Sequence, residues 1–240
     1  MTASIDNLLG TDDLLSAEDI ELRTMVRQFG EQRLRPFIAE WFENGSVPVR
    51  EIATEVGKLG LLGMHLTGYG CSGSSATAYG LVCQELEAVD SGIRSLVSVQ
   101  GSLAMFAIHH WGSEEQREQW LPGMAAGDLI GCFGLTEPDF GSNPGGMRTT
   151  ARRDGDDWVL NGSKMWITNG PSADTLIVYA KTAPDKNSRG ISAFIIEKGF
   201  KGFSVAQKLD KLGMRGSETG ELVFEDCEVP EENLMGPLNS

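Results

Sequence analysis

This sequence has no long apolar run. Nowhere do about 18 consecutive residues stay apolar, the length a bilayer-spanning helix needs, so membrane insertion is not expected. Histidine is scarce, with three residues, and cysteine is sparse, with four. Cys71, Cys83, Cys132 and Cys227 lie too far apart to form a close pair, which argues against a disulfide framework or a zinc site. Basic residues are also short: 20 Lys and Arg against 34 Asp and Glu leave a net charge of −14. Nucleic acid needs clustered cations for its phosphates, and an anionic membrane surface needs them too, so neither partner is expected. The first residues hold neither a basic and apolar leader nor an Arg-rich stretch. With reduced-looking cysteines, that leads to the expectation of a cytoplasmic protein. No internal repeat and no low-complexity tract is visible.

What is there divides by periodicity. Over 240 residues with 40% apolar content, a sizeable core can form in one large domain or two small ones. Leu22, Met25, Val26 and Phe29 recur at helical spacing, after a Ser16/Asp19 cap and before Pro36, which limits the helix. Ile52, Val56 and Leu59 predict a second helix stopped by Gly60 or Gly63. Val82, Leu86 and Val89 predict a third, closed at Asp90. Leu96, Val99, Leu103 and Phe106 predict a fourth by the same spacing, and Ser113 with Gln116 opens a last one that ends at Pro122 or Gly127. Past Ile130 the pattern turns to short strands. Asn161-Gly162 after Trp158-Val-Leu160 reads as a hairpin turn, and Leu176–Tyr179, Ile191–Ile196 and Leu222–Phe224 are further strands. The fold expected is α+β: an all-α domain over residues 1–129, then a small antiparallel β-barrel or sandwich domain over residues 130–240.

Two segments carry chemistry. Gly131-Cys-Phe-Gly-Leu-Thr-Glu-Pro-Asp-Phe-Gly-Ser142 is an apolar strand that breaks into a Thr/Pro/Gly/Ser loop. Lys164-Met-Trp-Ile-Thr-Asn169 places an indole beside a hydroxyl at a strand end. A planar aromatic cofactor needs donors, a hydroxyl or two and a flat wall, and these segments supply all three. Taken singly, Phe133, Trp166 and Ile167 read rather as strand core and the Thr and Ser residues as turn formers; it is their joint order and spacing that favour a cofactor. A third candidate is Arg94, which shares a helix face with Ser98, Gly101, Ser102 and Met105. Four of those five are small or polar enough to leave a groove ending in a guanidinium. An ordinary surface pairing of Arg94 with Glu87 or Asp90 fits the spacing as well. His109-His110 reads as a helix-end polar pair, because adjacent helical residues do not share a face; no metal site is expected.

Leu135-Thr-Glu-Pro138 with Gly141-Ser142, then Trp166-Ile-Thr168 after Asn161-Gly-Ser-Lys164, resemble the flavin-binding signatures of the acyl-CoA dehydrogenase family. Residues 59–161 are most similar to glutaryl-CoA dehydrogenase, through Val89-Asp-Ser-Gly-Ile-Arg-Ser95 and Ser98-Val-Gln100. Residues 164–236 are more similar to isovaleryl-CoA dehydrogenase, through Lys208-Leu-Asp-Lys-Leu-Gly-Met-Arg-Gly216. An intermediate family member and a recombined or designed chain both fit this pattern. The resemblance implies FAD as cofactor, held by Phe133, Gly134, Leu135, Thr136, Glu137, Gly141, Ser142, Trp166, Ile167 and Thr168. It implies an acyl-CoA substrate touched by Glu87, Arg94, Ser95, Ser98 and Ser142, with Arg94 and Ser95 on the distal carboxylate of a glutaryl group. The implied reaction is α,β-dehydrogenation, with decarboxylation to crotonyl-CoA in the glutaryl case and electron-transferring flavoprotein as acceptor. A non-catalytic flavin- or acyl-CoA-binding module is the reading from another class. In the family, a C-terminal helical bundle follows the barrel, carrying the glutamate base and much of the oligomer interface. No base is therefore assigned here, and a homo-oligomer is expected only where that bundle is supplied. Glu87, Glu137 and Asp139 are weak substitutes, and Ser188-Arg189 is a weak contact to the CoA moiety.

Overall fold

The structure, a computed structural model, describes residues 10–239. Helix α1 (Ala17–Phe29) starts on a complete capping box: Asp19 N–H donates to the Ser16 hydroxyl, and the Asp19 carboxylate accepts from Ser16 N–H. The chain then stays helical past Pro36, through a π turn over Gly30–Leu34 and a 3-10 turn over Arg35–Phe37, into α2 (Ile38–Asn44). Pro36 therefore sits at the start of a new turn, where its missing N–H costs nothing, and does not end the rod. Helices α3 (Val49–Lys58), α4 (Ala76–Val89) and α5 (Ser91–Ser98) follow, with a small hairpin, β1 (Thr67–Gly68) and β2 (Cys71–Ser72), between α3 and α4.

From α5 the helix runs on through a π segment, Val99–Met105, into α6 (Phe106–Trp111). This corrects the helix face read from spacing. A π turn adds a residue to the turn, so the apolar stripe shifts. Ala104, Met105, Ala107 and Ile108 are buried, whereas Leu103 and Phe106 are exposed. Helix α7 (Glu114–Ala126) has the Ser113/Gln116 capping box and runs through Pro122 to a left-handed Gly127 cap. The α3–α7 crossing is close: a Cβ on Gly57 would overlap the Ala126 carbonyl, so this helix pair requires glycine there.

The remaining strands, β3 (Gly131–Gly134), β4 (Thr150–Asp154), β5 (Asp157–Thr168), β6 (Thr175–Lys181), β7 (Ile191–Glu197), β8 (Phe203–Lys208), β9 (Thr219–Pro230) and β10 (Leu234–Met235), form an 8-stranded sheet. Its order is β10-β7-β6-β4-β5-β9-β8, with β3 parallel to β6. Helical and sheet regions thus follow in the expected order, but the sheet is mixed and, among the described residues, does not close into a barrel. It curls instead. Trp158 on β5 meets Phe194 on β7 edge-on at 5.5 Å, although two strands lie between them in the sheet order. Alternation along β6 and β7 serves two cores. Ile177 and Ile195 join the helical core, while Leu176, Val178, Phe194 and Ile196 join a second core with Leu160, Leu222 and Phe224.

One turn expectation is overturned. Asn161-Gly162 lies inside the 12-residue β5, and the hairpin bends at residues 155–156 instead. Gly162 is there because a Cβ would sit 2.5 Å from the Thr149 hydroxyl, and Asn161 reaches across to Asp226 on β9.

Candidate functional site

The loop that leaves β3 is pinned by its own turn. Glu137 and Phe140 exchange backbone hydrogen bonds of 3.2 and 3.1 Å around Pro138-Asp139. Beside it, β5 carries a bulge: Lys164 pairs with Leu222 and Ile167 with Gly220, leaving one extra residue on β5. Trp166 sits in that bulge at φ 64°, a left-handed conformation that a bulky side chain rarely holds, and is 59% exposed. Strain of this kind concentrates at functional sites. The loop and the bulge meet directly, since Met165 N–H donates to the Thr136 carbonyl at 2.9 Å. Thr136 and Trp166 are therefore near neighbours on one surface.

The loop and the strand end carry unused donors. Thr136 and Thr168 are half-buried and Ser142 is exposed, and their hydroxyls have no partner among the described residues. Phe133 is half-buried with its ring 5.1 Å from Tyr179. Ile167 is buried in the sheet core, so its side chain faces away from the shelf and only its backbone borders it. Gly134 is also buried, packed between Val178 and Lys164. Glu137 is buried and accepts from Arg148 N–H at 2.6 Å, Thr149 N–H at 3.0 Å and Lys164 Nζ at 2.9 Å. Burial pushes its carboxyl up, but these three donors outweigh it and hold the group below the usual carboxylate range.

Arg94 lies at the start of α5, with its Nε donating to Glu87 at 2.6 Å and Nη1 to the Ser98 hydroxyl at 3.1 Å. Nη2 has no acceptor among the described residues. Glu87 is held below its ordinary range, first by the Ser91 hydroxyl and then by Arg94. The line continues along the rod: the Tyr79 hydroxyl bonds Ser102, and burial pushes Tyr79 up to about 12. Gly101 and Met105, expected on the same face, turn toward Gly63 because of the π segment. Ser95 is buried one position past Arg94. His109 bonds the Thr67 carbonyl, and no group of three potential metal ligands exists among the described residues.

The two places are joined by a residue that motif reading passed over. Asn169, buried at φ 65°, donates to the carbonyls of Gly131 at 3.2 Å and Leu96 at 3.5 Å. It ties the end of β5 to β3 and to α5 two residues beyond Arg94. The signal available was an Asn before Gly-Pro, a residue that tolerates the left-handed region. Lys164 was also passed over: a lysine in a polar-looking strand gives no sign that it will be fully buried.

Comparison with known proteins gives the same two parts. The "Acyl-CoA dehydrogenase, N-terminal domain" family matches residues 16–128, and the "Acyl-CoA dehydrogenase, middle domain" family matches residues 132–227. The chain belongs to the acyl-CoA dehydrogenase family. A short-chain specific acyl-CoA dehydrogenase of Clostridium acetobutylicum is 42% identical, over 92% of this chain and 59% of the relative. The mitochondrial isovaleryl-CoA dehydrogenase of Pongo abelii is 42% identical, over 97% and 57%. A glutaryl-CoA dehydrogenase of Mycobacterium smegmatis, solved in complex with FADH2, superposes at a TM-score of 0.91 with 54% identity, over 95% of this chain and 57% of that one. That alignment spans both the helical and the sheet regions of the chain. The chain spans about three fifths of the length of these relatives.

Proposed function

We propose that this chain forms the flavin-facing shelf and part of the acyl pocket of an FAD-dependent acyl-CoA dehydrogenase, with a glutaryl-type substrate preferred. The observation that carries the reading is the Met165–Thr136 hydrogen bond, which sets the exposed, strained indole of Trp166 next to Thr136, with Thr168 two residues further along β5. FAD, when bound, supplies the ring that accepts the hydride leaving the acyl β-carbon. Trp166 walls that ring and excludes water from one side. Thr136 and Thr168 donate to its polar edge, and Ser142 donates to a phosphate or to the CoA chain. Phe133, Gly134, Leu135, Glu137, Gly141 and Ile167 shape the backbone that borders it. The base that takes the α-proton is assigned to no residue here.

Arg94 sets the substrate class. With Nε and Nη1 held by Glu87 and Ser98, Nη2 remains to pair with a distal carboxylate; Ser95 is assigned to that carboxylate by the family resemblance. The 54% identity to a glutaryl-CoA dehydrogenase supports the same choice. The 42% identity to an isovaleryl-CoA dehydrogenase keeps a short branched acyl-CoA as the alternative. In this reading residues 1–129 and 130–240 act as helical and sheet domains, and electrons leave to an electron-transferring flavoprotein. The setting is cytoplasmic, and a homo-oligomer forms where the remaining length of the relatives is supplied.

The test is titration of the purified chain with FAD, followed by flavin fluorescence and by colour retained on gel filtration. Glutaryl-CoA and butyryl-CoA are then compared by their perturbation of flavin absorbance. Arg94→Ala is expected to weaken the glutaryl-CoA response at least tenfold and to leave butyryl-CoA within about threefold, since an unmatched substrate charge costs on the order of 3 kcal/mol. Equal losses on both would make Arg94 structural. Failure to retain FAD would end the flavin reading. Retained FAD with no acyl-CoA response would reduce the chain to a flavin-binding module.

A further inference from the structure

We propose that Lys164 and Glu137, a fully buried ion pair behind the shelf, are positioning residues that hold Thr136 and Trp166 in register with each other and so set the affinity for the flavin. Lys164 is 0% exposed and Glu137 4%. The ammonium donates to Glu137 Oε1 at 2.9 Å and to the Leu135 carbonyl at 3.2 Å, and rests 3.9 Å from Met147 Sδ. The carboxylate in turn collects Arg148 N–H and Thr149 N–H. Three separate stretches therefore converge on one pair: the loop at 135–137, the segment at 147–149, and β5 at Lys164. The Thr149 hydroxyl adds a 3.4 Å bond to the Ser163 carbonyl on β5.

Burying two charges is expensive, and well-packed apolar residues in their place are often as stable or more so. A buried pair is therefore better explained by the geometry it imposes than by stability. The geometry here is specific. Leu135 immediately precedes Thr136, and Lys164 immediately precedes Met165, whose N–H meets the Thr136 carbonyl. Anchoring both flanks fixes that bond, and the next residue, Trp166, then enters the left-handed region from a rigid start. Without the anchor, the 135–142 loop keeps its Glu137–Phe140 turn but loses its fixed distance to β5.

The flavin half of this inference rests on the reading given under Proposed function; the backbone half does not. Lys164→Met alone strands a buried carboxylate and tests folding as much as position. The decisive variant is the neutral pair Glu137→Gln with Lys164→Met. Thermal unfolding checks that it folds, amide exchange of Met165 in the FAD-free chain reads the backbone, and fluorescence titration reads FAD affinity. The expected result is a folded variant whose Met165 amide exchanges at least tenfold faster while Leu160 on the same strand is unchanged, and whose FAD dissociation constant rises at least tenfold. Parent-like Met165 protection, or parent-like FAD affinity, overturns the proposal. If the unmodified chain takes no FAD, the flavin reading fails by itself, and the Met165 exchange still decides whether the pair positions the backbone.

Discussion

At the residue level, Trp166 separates what holds the fold from what the fold holds. Its conformation costs about 1–2 kcal/mol for a residue with a Cβ, and its ring gives little burial in return. Trp166→Gly removes that strain, while adding roughly 0.5–1 kcal/mol of backbone entropy to be lost on folding. Stability by urea denaturation should therefore stay within about 1 kcal/mol of the parent, while FAD affinity falls at least tenfold. A large stability loss would mean that the indole is structural. The sequence made the indole and its hydroxyl neighbours visible, because Trp and Thr at a strand end are legible as residue types. It did not show that Trp166 faces out while Ile167 faces in, since the bulge that decides this depends on pairing with β9. Lys164 and Asn169 were illegible for a related reason: what buries them is the loop and the helix brought over them.

At the level of elements, the capping boxes at Ser16 and Ser113 were readable because they are local, three residues from donor to acceptor. The face of the α5–α6 rod and the site of the hairpin were not, because a π segment and a close Thr149 approach override local spacing. The join between elements rests on Asp174, which accepts Arg50 of α3 at 2.6 and 2.9 Å and Ile130 N–H at 2.9 Å. Burial raises its carboxyl, but Arg50 and the Ile130 N–H outweigh it and hold the group below the ordinary 3.8. For a depressed carboxyl, the stabilisation is fully present above the unfolded value and is lost as pH falls through the folded one. Asp174→Asn should therefore cost about 1.5–3 kcal/mol at neutral pH, as hydrogen bonds to a charged group do. The difference from the parent should shrink as pH drops below 3.8. Thermal melts across that range give the check, and a pH-independent difference would mean that the charge contributes nothing.

For the molecule as a whole, the helical core includes Ile177, Ile195 and Met235 from the sheet. Gln100 in the π segment also bonds the carbonyls of Met124 and Leu129 and the N–H of Gly131. Helices and sheet should consequently melt together, giving coincident transitions in far-ultraviolet and near-ultraviolet circular dichroism. Two separated transitions would show that the shared core is too weak to couple them. The rod from Ser91 to Trp111 also acts as a length gauge. Removing one residue between Val99 and Met105 would close the π turn to an ordinary helix and leave the faces downstream nearly where they are, whereas removing two would swing them by about 100°. Ala107 and Ile108 would stay inward after the first loss, and Arg94, upstream, would stay where it is. Substitutions in that stretch can be absorbed one side chain at a time, and a single deletion by closing the π turn; a second deletion would carry Phe106 into the place of buried Met105 and Ala107 out of the core at once.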